Sequence, residues 1–189
     1  MSKNSGAANE PGAIPRKAAA GADLTLPADA RKAGTFNWTV TTRNPLHKIC
    51  RALTEMSSVE YSQAVAQGVP AALLIPLAES TGSSLRGLVT MLGMSRTTVY
   101  RQIDKGENTP LAHFEGDAAA DFARLLGEAQ VLAGQGKQAL AAAGQTLGHW
   151  LLSPNDGLGG QPPATVMSVG MGRAHVYLLR KRLSAQAPD

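Results

Sequence analysis

The apolar and polar positions between residues 58 and 184 repeat with the period of amphipathic helices. The stretch SSLRGLVTML offers Ser83 or Ser84 as an N-cap and then spaces its apolar residues at i, i+3, i+4 and i+7. That buried stripe is Leu85, Leu88, Val89 and Leu92. The same criteria predict six further helices. One begins at about residue 58, one covers 70–80, one follows Asp117, one ends at about residue 152, and two lie near 163–169 and 172–184.

The composition favours the same fold class. Only 3 Phe, 2 Trp and 3 Tyr accompany abundant Ala and Leu, which is typical of helices packed through aliphatic side chains. Pro76 falls inside the helix predicted at 70–80, so either this helix is kinked or two short helices meet there. We predict an all-α fold.

The chain divides into four segments by composition. Residues 1–35 are rich in Ala, Gly and Pro and are predicted to be a disordered tail. Residues 36–57 alternate weakly and are left as an arm of undecided structure. We place one helical domain at 58–112 and a second at 113–189.

Two of the predicted helices are joined by a tight turn. Gly93 ends the first helix and Ser95 caps the next, in which Val99 and Ile103 face inward together with Met94. Two short helices joined by a glycine-containing turn form a helix-turn-helix unit, whose second helix enters the major groove of DNA.

A helical wheel leaves the polar side of this second helix facing away from the core. Arg96 and Arg101 have the geometry to bond guanine edges, and the hydroxyl residues suit phosphates near the helix start. Tyr100 is ambiguous, because its ring can pack while its hydroxyl bonds a phosphate. The predicted DNA-contacting residues are Ser95, Arg96, Thr97, Thr98, Tyr100, Arg101 and Lys105.

The positive charge of the chain concentrates in this unit. The formal net charge is +4, and residues 83–106 hold Arg86, Arg96, Arg101 and Lys105 against one acid, Asp104. An anionic partner requires such a concentration. The alternative is a solvated, arginine-bearing helix of an ordinary bundle, which amphipathicity alone does not exclude.

The C-terminal run HWLLSPNDGLGGQPPATVMSVGMGRAHVYLLRKRL resembles the Xre/MbcA/ParS family of bacterial antitoxins. The resemblance spans residues 58–184 and includes the helix-turn-helix upstream. It rests on residues that follow one another in the order of the family's motif. These are Trp150, Pro154, Asn155, Leu158, Gly159, Gly160 and Pro163.

The resemblance implies an antitoxin that dimerises, represses its own operon and covers the active site of a RES-domain toxin, an enzyme that consumes NAD or uses it to modify a target. The loop and the last helix would contact the toxin, and Trp150, Pro154 and Gly93 would have structural roles. The implied toxin-binding residues are Asn155, Leu158, Gly159, Gly160, Arg173, Tyr177, Arg180 and Lys181.

Other classes of function receive little support from the sequence. The four histidines lack metal-ligand spacing, and no nucleophile-elbow or phosphate-loop pattern is present, so we expect no metal, no cofactor and no enzyme activity. One cysteine and no signal-like or membrane-spanning run favour a cytoplasmic protein. A helix-turn-helix regulator whose C-terminal region dimerises or senses a ligand, without a toxin, remains the alternative.

Overall fold

A computed structural model describes residues 35–185, with side chains described up to residue 181. The described chain is all-α, as predicted, and contains two isolated β-bridges but no strand. The predicted tail lies outside the described residues, except for Thr35. The eight helices of the described residues are α1 (Leu46–Glu55), α2 (Ser58–Ala66), α3 (Leu74–Ser80), α4 (Leu85–Met91), α5 (Arg96–Asp104), α6 (His113–Ala133), α7 (Gly136–Leu152) and α8 (Gly170–Ala185).

Helix α1 lies in the segment that the sequence left undecided. Its buried residues are Leu46, Ile49, Cys50 and Leu53, one stripe at i, i+3, i+4 and i+7. The stripe packs on α6. The two backbones approach so closely at Gly127 that a Cβ there would overlap the carbonyl oxygen of Cys50. Residues 46–55 of this segment are therefore a core helix, whereas residues 36–45 before it are not helical.

Local sequence signals explain how α2 and α3 begin and end. The Ser57 hydroxyl accepts from the Glu60 backbone N–H while the Glu60 carboxylate accepts from the Ser57 N–H, a capping box. Gly68 follows α2 with a φ of 99°. Pro76 is accommodated because a 3-10 turn at 71–73 precedes α3, which begins at Leu74. Pro76 therefore lies in the first turn of α3, where N–H groups have no partner inside the helix.

Helix α6 is the centre of the fold and packs against α1, α7, α8 and α2. It begins at His113, whereas the sequence predicted a start after Asp117. Four apolar residues with helical spacing, Phe122, Leu125, Leu126 and Ala129, are buried. Leu132 continues their spacing but is exposed. No helix in residues 35–185 has the length and apolar content required to cross a membrane.

Helix α7 packs closely against the end of α3. A Cβ added to Gly144 would overlap the carbonyl oxygen of Ser80, and one added to Gly148 would overlap that of Thr81. Leu147 and Leu151 fill the rest of this face. The described residues of the predicted domains 58–112 and 113–189 thus contribute to one continuous core.

Candidate nucleic-acid interface and partner-binding surface

Helix α4 has one buried and one exposed side, both fixed by local sequence. The Ser84 hydroxyl accepts from the Gly87 backbone N–H at 3.0 Å and starts the helix. Leu88, Val89 and Leu92 are completely buried, as predicted, whereas Leu85, the fourth residue of the predicted stripe, is half-buried. The opposite side exposes Arg86 and Thr90 to solvent.

The turn between α4 and α5 depends on Gly93. This residue has a φ of 69°, which side-chain-bearing residues rarely adopt. A Cβ on Gly93 would also lie 2.8 Å from the Cβ of Ser168 and 2.9 Å from its carbonyl oxygen. The turn is therefore packed directly against the segment that precedes α8, a contact that the sequence pattern did not predict.

Helix α5 starts at a serine cap and buries its predicted side. The Ser95 hydroxyl accepts from the Thr98 backbone N–H at 3.4 Å and from the Thr98 hydroxyl at 3.1 Å. These two hydroxyls are engaged in the cap, so their first role is structural. Val99 is buried and Ile103 is half-buried against the core.

The opposite side of α5 is exposed and cationic. Among the residues predicted to contact DNA, Thr98 is half-buried and the other six are exposed, namely Ser95, Arg96, Thr97, Tyr100, Arg101 and Lys105. Tyr100 has 41% of its surface exposed, so its ring is not part of the core.

The cations of α4 and α5 lack acidic partners. No ion pair or side-chain hydrogen bond within the described residues involves Arg86, Arg96, Arg101 or Lys105. By contrast, Arg51 pairs with Glu55 at 2.7 Å on α1. None of these four cations is thus neutralised by a contact ion pair in the part of the chain that the structure describes.

An open groove of about 610 Å³ lies between α4 and the C-terminal segment. Arg86 and Arg96 line it, and Ala164 and Thr165, from a 3-10 turn at Pro163–Val166, form its other side. The sequence singled out neither Ala164 nor Thr165, because their proximity to α4 depends on tertiary packing.

The loop between α7 and α8 is held by its own hydrogen bonds. The Asn155 side chain accepts from the Gly157 N–H at 3.0 Å, and the Asn155 carbonyl accepts from the N–H groups of Leu158 and Gly160. Gly159 and Gly160 have φ values of 61° and 79°. The loop is therefore preformed, and Asn155, predicted to bind a toxin, organises the loop's backbone.

Trp150 of α7 packs against the core and contacts α8 through Arg180. The ring is half-buried, and the Arg180 guanidinium lies 5.7 Å from its centroid. Burial lowers the pKa of Arg180 from its ordinary value. A methyl group of Leu179 would lie 2.9 Å from a Cβ on Gly157, so α8 also packs against the loop. Pro154 is exposed.

Arg173 is not part of an exposed toxin-contacting surface, and this prediction needs correction. The residue is only 5% exposed. Its Nε donates to Asp121 at 3.0 Å, its Nη1 donates to the Met167 carbonyl at 3.4 Å, and its guanidinium stacks on Phe114. The side chain instead fastens α8 to α6.

Tyr177 is likewise engaged within the fold. Its hydroxyl donates to the Glu128 carboxylate at 2.7 Å. The Arg124 guanidinium lies between two tyrosine rings, 5.0 Å from Tyr61 and 5.1 Å from Tyr177. The pKa of Tyr61 is raised mainly by burial and further by the adjacent Asp121. The pKa of Tyr177 is raised mainly by burial and further by the hydrogen bond to Glu128.

The outer side of α8 remains uncovered. Met171 is 85% exposed, and Leu178, seven residues along, is 54% exposed. Lys181 is exposed on the next turn, and Val169 is exposed just before the helix. This apolar surface, ending in a lysine, lies on the same helix that packs against the preformed loop.

The described residues form no cluster of three or more metal-ligating side chains. Cys50 is buried, which raises the pKa of its thiol. Comparison with known proteins adds no identification: no family model matches the chain, and no curated protein or solved structure matches it significantly.

Proposed function

We propose that the protein binds double-stranded DNA through α4 and α5, which act as a helix-turn-helix with α5 as the recognition helix. The observation that carries the proposal is the exposed side of α5, where Arg96, Arg101 and Lys105 have no acidic partner within the described chain. The major groove admits an α-helix, and arginines there bond guanine O6 and N7 in pairs.

Substitution of the two arginines tests this proposal. Each bidentate contact contributes about 1 to 3 kcal/mol, so Arg96→Ala with Arg101→Ala should weaken binding to DNA from the chain's own promoter at least about 30-fold. A matched variant, Arg43→Ala with Lys137→Ala, removes two exposed positive charges outside α4 and α5. Fluorescence anisotropy at fixed salt is the assay. Equal affinity of the two double variants would refute specific readout by α5.

We further propose that the protein is an antitoxin of the Xre/MbcA/ParS type, which binds a RES-domain toxin with the loop at 153–162 and α8. The resemblance of the C-terminal run suggests the partner. Two observations support a docking surface there: the loop is hydrogen-bonded in one conformation, and Met171 and Leu178 are exposed on the adjacent helix. A preformed loop loses less conformational entropy when it binds.

Point substitutions are a sharper test than removal of α8, because Arg173 and Val176 of α8 are buried. Met171→Asp with Leu178→Asp should abolish co-purification with the protein encoded beside this gene and abolish protection from its toxicity. Val59→Asp, an exposed apolar residue on α2, is the control. DNA binding should persist in both variants. Undiminished protection in the double variant would contradict toxin binding by this surface.

The same apolar surface also favours the alternative, a DNA-binding regulator that uses α8 for self-association. Two half-sites about 34 Å apart on DNA require a dimer, which we expect in either case. The mass of the purified protein in solution and its co-purification with the neighbouring gene's product, both measured for wild type and for Met171→Asp, distinguish the two. A variant that becomes monomeric, from a wild-type protein that captures no neighbouring protein, assigns α8 to the dimer of a regulator. An unchanged dimer that loses the captured protein assigns α8 to the antitoxin function.

A further inference from the structure

We infer that the DNA-contacting surface extends beyond α4 and α5 onto the C-terminal 3-10 turn Pro163–Val166. A backbone phosphate of the double helix would occupy the open groove between Arg86, Arg96 and Thr165. The inference rests on the proposed DNA binding and adds to it a contact made by the region otherwise assigned to a protein partner.

The position of this turn is fixed by the core. Pro163 and Met167 are buried, so the segment is anchored at both ends. The Thr165 hydroxyl donates to the Pro162 carbonyl at 2.7 Å, which closes the turn. Ser168 packs against Gly93 within van der Waals distance. The turn and the start of α5 therefore keep a constant spacing.

The chemistry of the groove suits a phosphodiester. Its lining residues include two arginines, Arg86 and Arg96, and two residues with hydroxyl groups, Ser84 and Thr90, and none of them is acidic. Arginine and hydroxyl groups are the usual protein donors to DNA phosphates. The groove is wide open to solvent, as a surface that receives a long polymer must be. It also continues directly into the exposed side of α5 through Arg96, which belongs to both.

A charge reversal at Thr165 tests the inference, since Thr165→Lys and Thr165→Glu lose the same hydrogen bond but introduce opposite charges. Thr146 is an exposed threonine on α7, on the side opposite Gly144, and Thr146→Lys and Thr146→Glu are the matched controls. The probes are a duplex from the chain's own promoter and an unrelated duplex of equal length. Affinity is measured between 50 and 200 mM salt.

Each added phosphate contact steepens the dependence of log K on log salt by about 0.9. Thr165→Lys should therefore raise the ratio of affinities at 50 and 200 mM salt about 3.5-fold above wild type. Thr165→Glu should weaken binding, and Arg86→Ala should lower the slope by about 1. Because phosphate contacts do not read sequence, all these changes should occur with both duplexes, while the Thr146 variants stay near wild type.

The inference is overturned if the Thr165 variants match their Thr146 counterparts while Arg101→Ala still weakens promoter binding. In that case the proposed DNA-binding function stands and only the extension is wrong. If Arg96→Ala with Arg101→Ala binds as tightly as wild type, the proposed function itself fails and the extension fails with it. Opposite changes for Thr165→Lys and Thr165→Glu on both duplexes would support the extension.

Discussion

Replacement of Arg173 by alanine tests whether this residue acts inside the fold or on a partner. The guanidinium bonds Asp121 at 3.0 Å and is 4% exposed as a side chain, whereas the Asp121 side chain is 39% exposed. Removal of one member of a fully buried ion pair costs about 3 to 5 kcal/mol, and an exposed pair contributes about 0 to 1 kcal/mol.

The structure places the expected cost between these limits. After substitution, Asp121 stays partly hydrated and still accepts a hydrogen bond from the Tyr61 hydroxyl at 2.8 Å, which reduces the penalty. The buried methylene stem of Arg173 and its contact with the Phe114 ring are lost as well. We therefore expect Arg173→Ala to lower the free energy of unfolding by about 2 to 3 kcal/mol.

Thermal and urea unfolding, followed by circular dichroism, measure this effect. For a unit of this size, the expected loss corresponds to a decrease in Tm of about 4 to 12 °C. Lys181→Ala, an exposed cation on the same helix, should change stability by less than about 0.5 kcal/mol. A double-mutant cycle with Asp121→Asn should reveal coupling between the two residues. An Arg173→Ala variant with unchanged Tm but lost toxin binding would refute the structural role.

Three further predictions concern the backbone and a helix cap. Gly93→Ala should destabilise the protein by about 2 to 3 kcal/mol in urea unfolding, because its left-handed φ alone costs about 1 to 2 kcal/mol and its Cβ also crowds the C-terminal segment. Gly144→Ala should cost about 1 to 3 kcal/mol, because its Cβ overlaps the Ser80 carbonyl, while Ala142→Ser on the exposed side of α7 should be neutral. Hydrogen bonds from Ser57 lower the pKa of Glu60 below 4.5, so the stabilisation that Glu60 provides is present above that pH and lost as the pH falls through the folded-state pKa. The Tm difference between wild type and Glu60→Ala should therefore shrink on acidification.

The helices with strong local signals were predictable from sequence because their determinants lie within a few residues. The caps of α4 and α5 and the turn glycine are examples, since a serine hydroxyl and a left-handed residue act within one helical turn. The interruption near Pro76 was also predictable, because a proline is not tolerated in the interior of a regular helix.

Helix α1 was missed although its signal was present. The apolar residues after Pro45 have helical spacing, namely Leu46, Ile49, Cys50 and Leu53. The weak alternation just upstream, however, is also compatible with an extended conformation. The exposure of Leu132 near the end of α6 could not be predicted for a different reason. Leu132 continues the apolar spacing of the helix, and only tertiary packing determines how far the buried side extends.

The burial of Arg173 was not predictable from the chain near it. Its partner, Asp121, lies 52 residues away, and a basic residue early in a predicted terminal helix reads as a solvated cation. The same limit applies to Thr165, whose proximity to Arg86 depends on how the C-terminal segment packs on the α4–α5 turn. Sequence patterns indicated which residues carry charge but not which charges are neutralised.

Which cations have a partner within the fold is more informative about function than the net charge of the chain. Arg173 contributes to the fold through a carboxylate and Arg124 through two aromatic rings. Arg86, Arg96 and Arg101 have no such contact in the described chain, and their mutual repulsion slightly opposes folding. Two short helices of a stable bundle have no structural need for three unneutralised arginines on one surface. A polyanion that lies across α4, α5 and the C-terminal turn would offset this repulsion when bound, and double-stranded DNA has the charge density and the groove dimensions to do so.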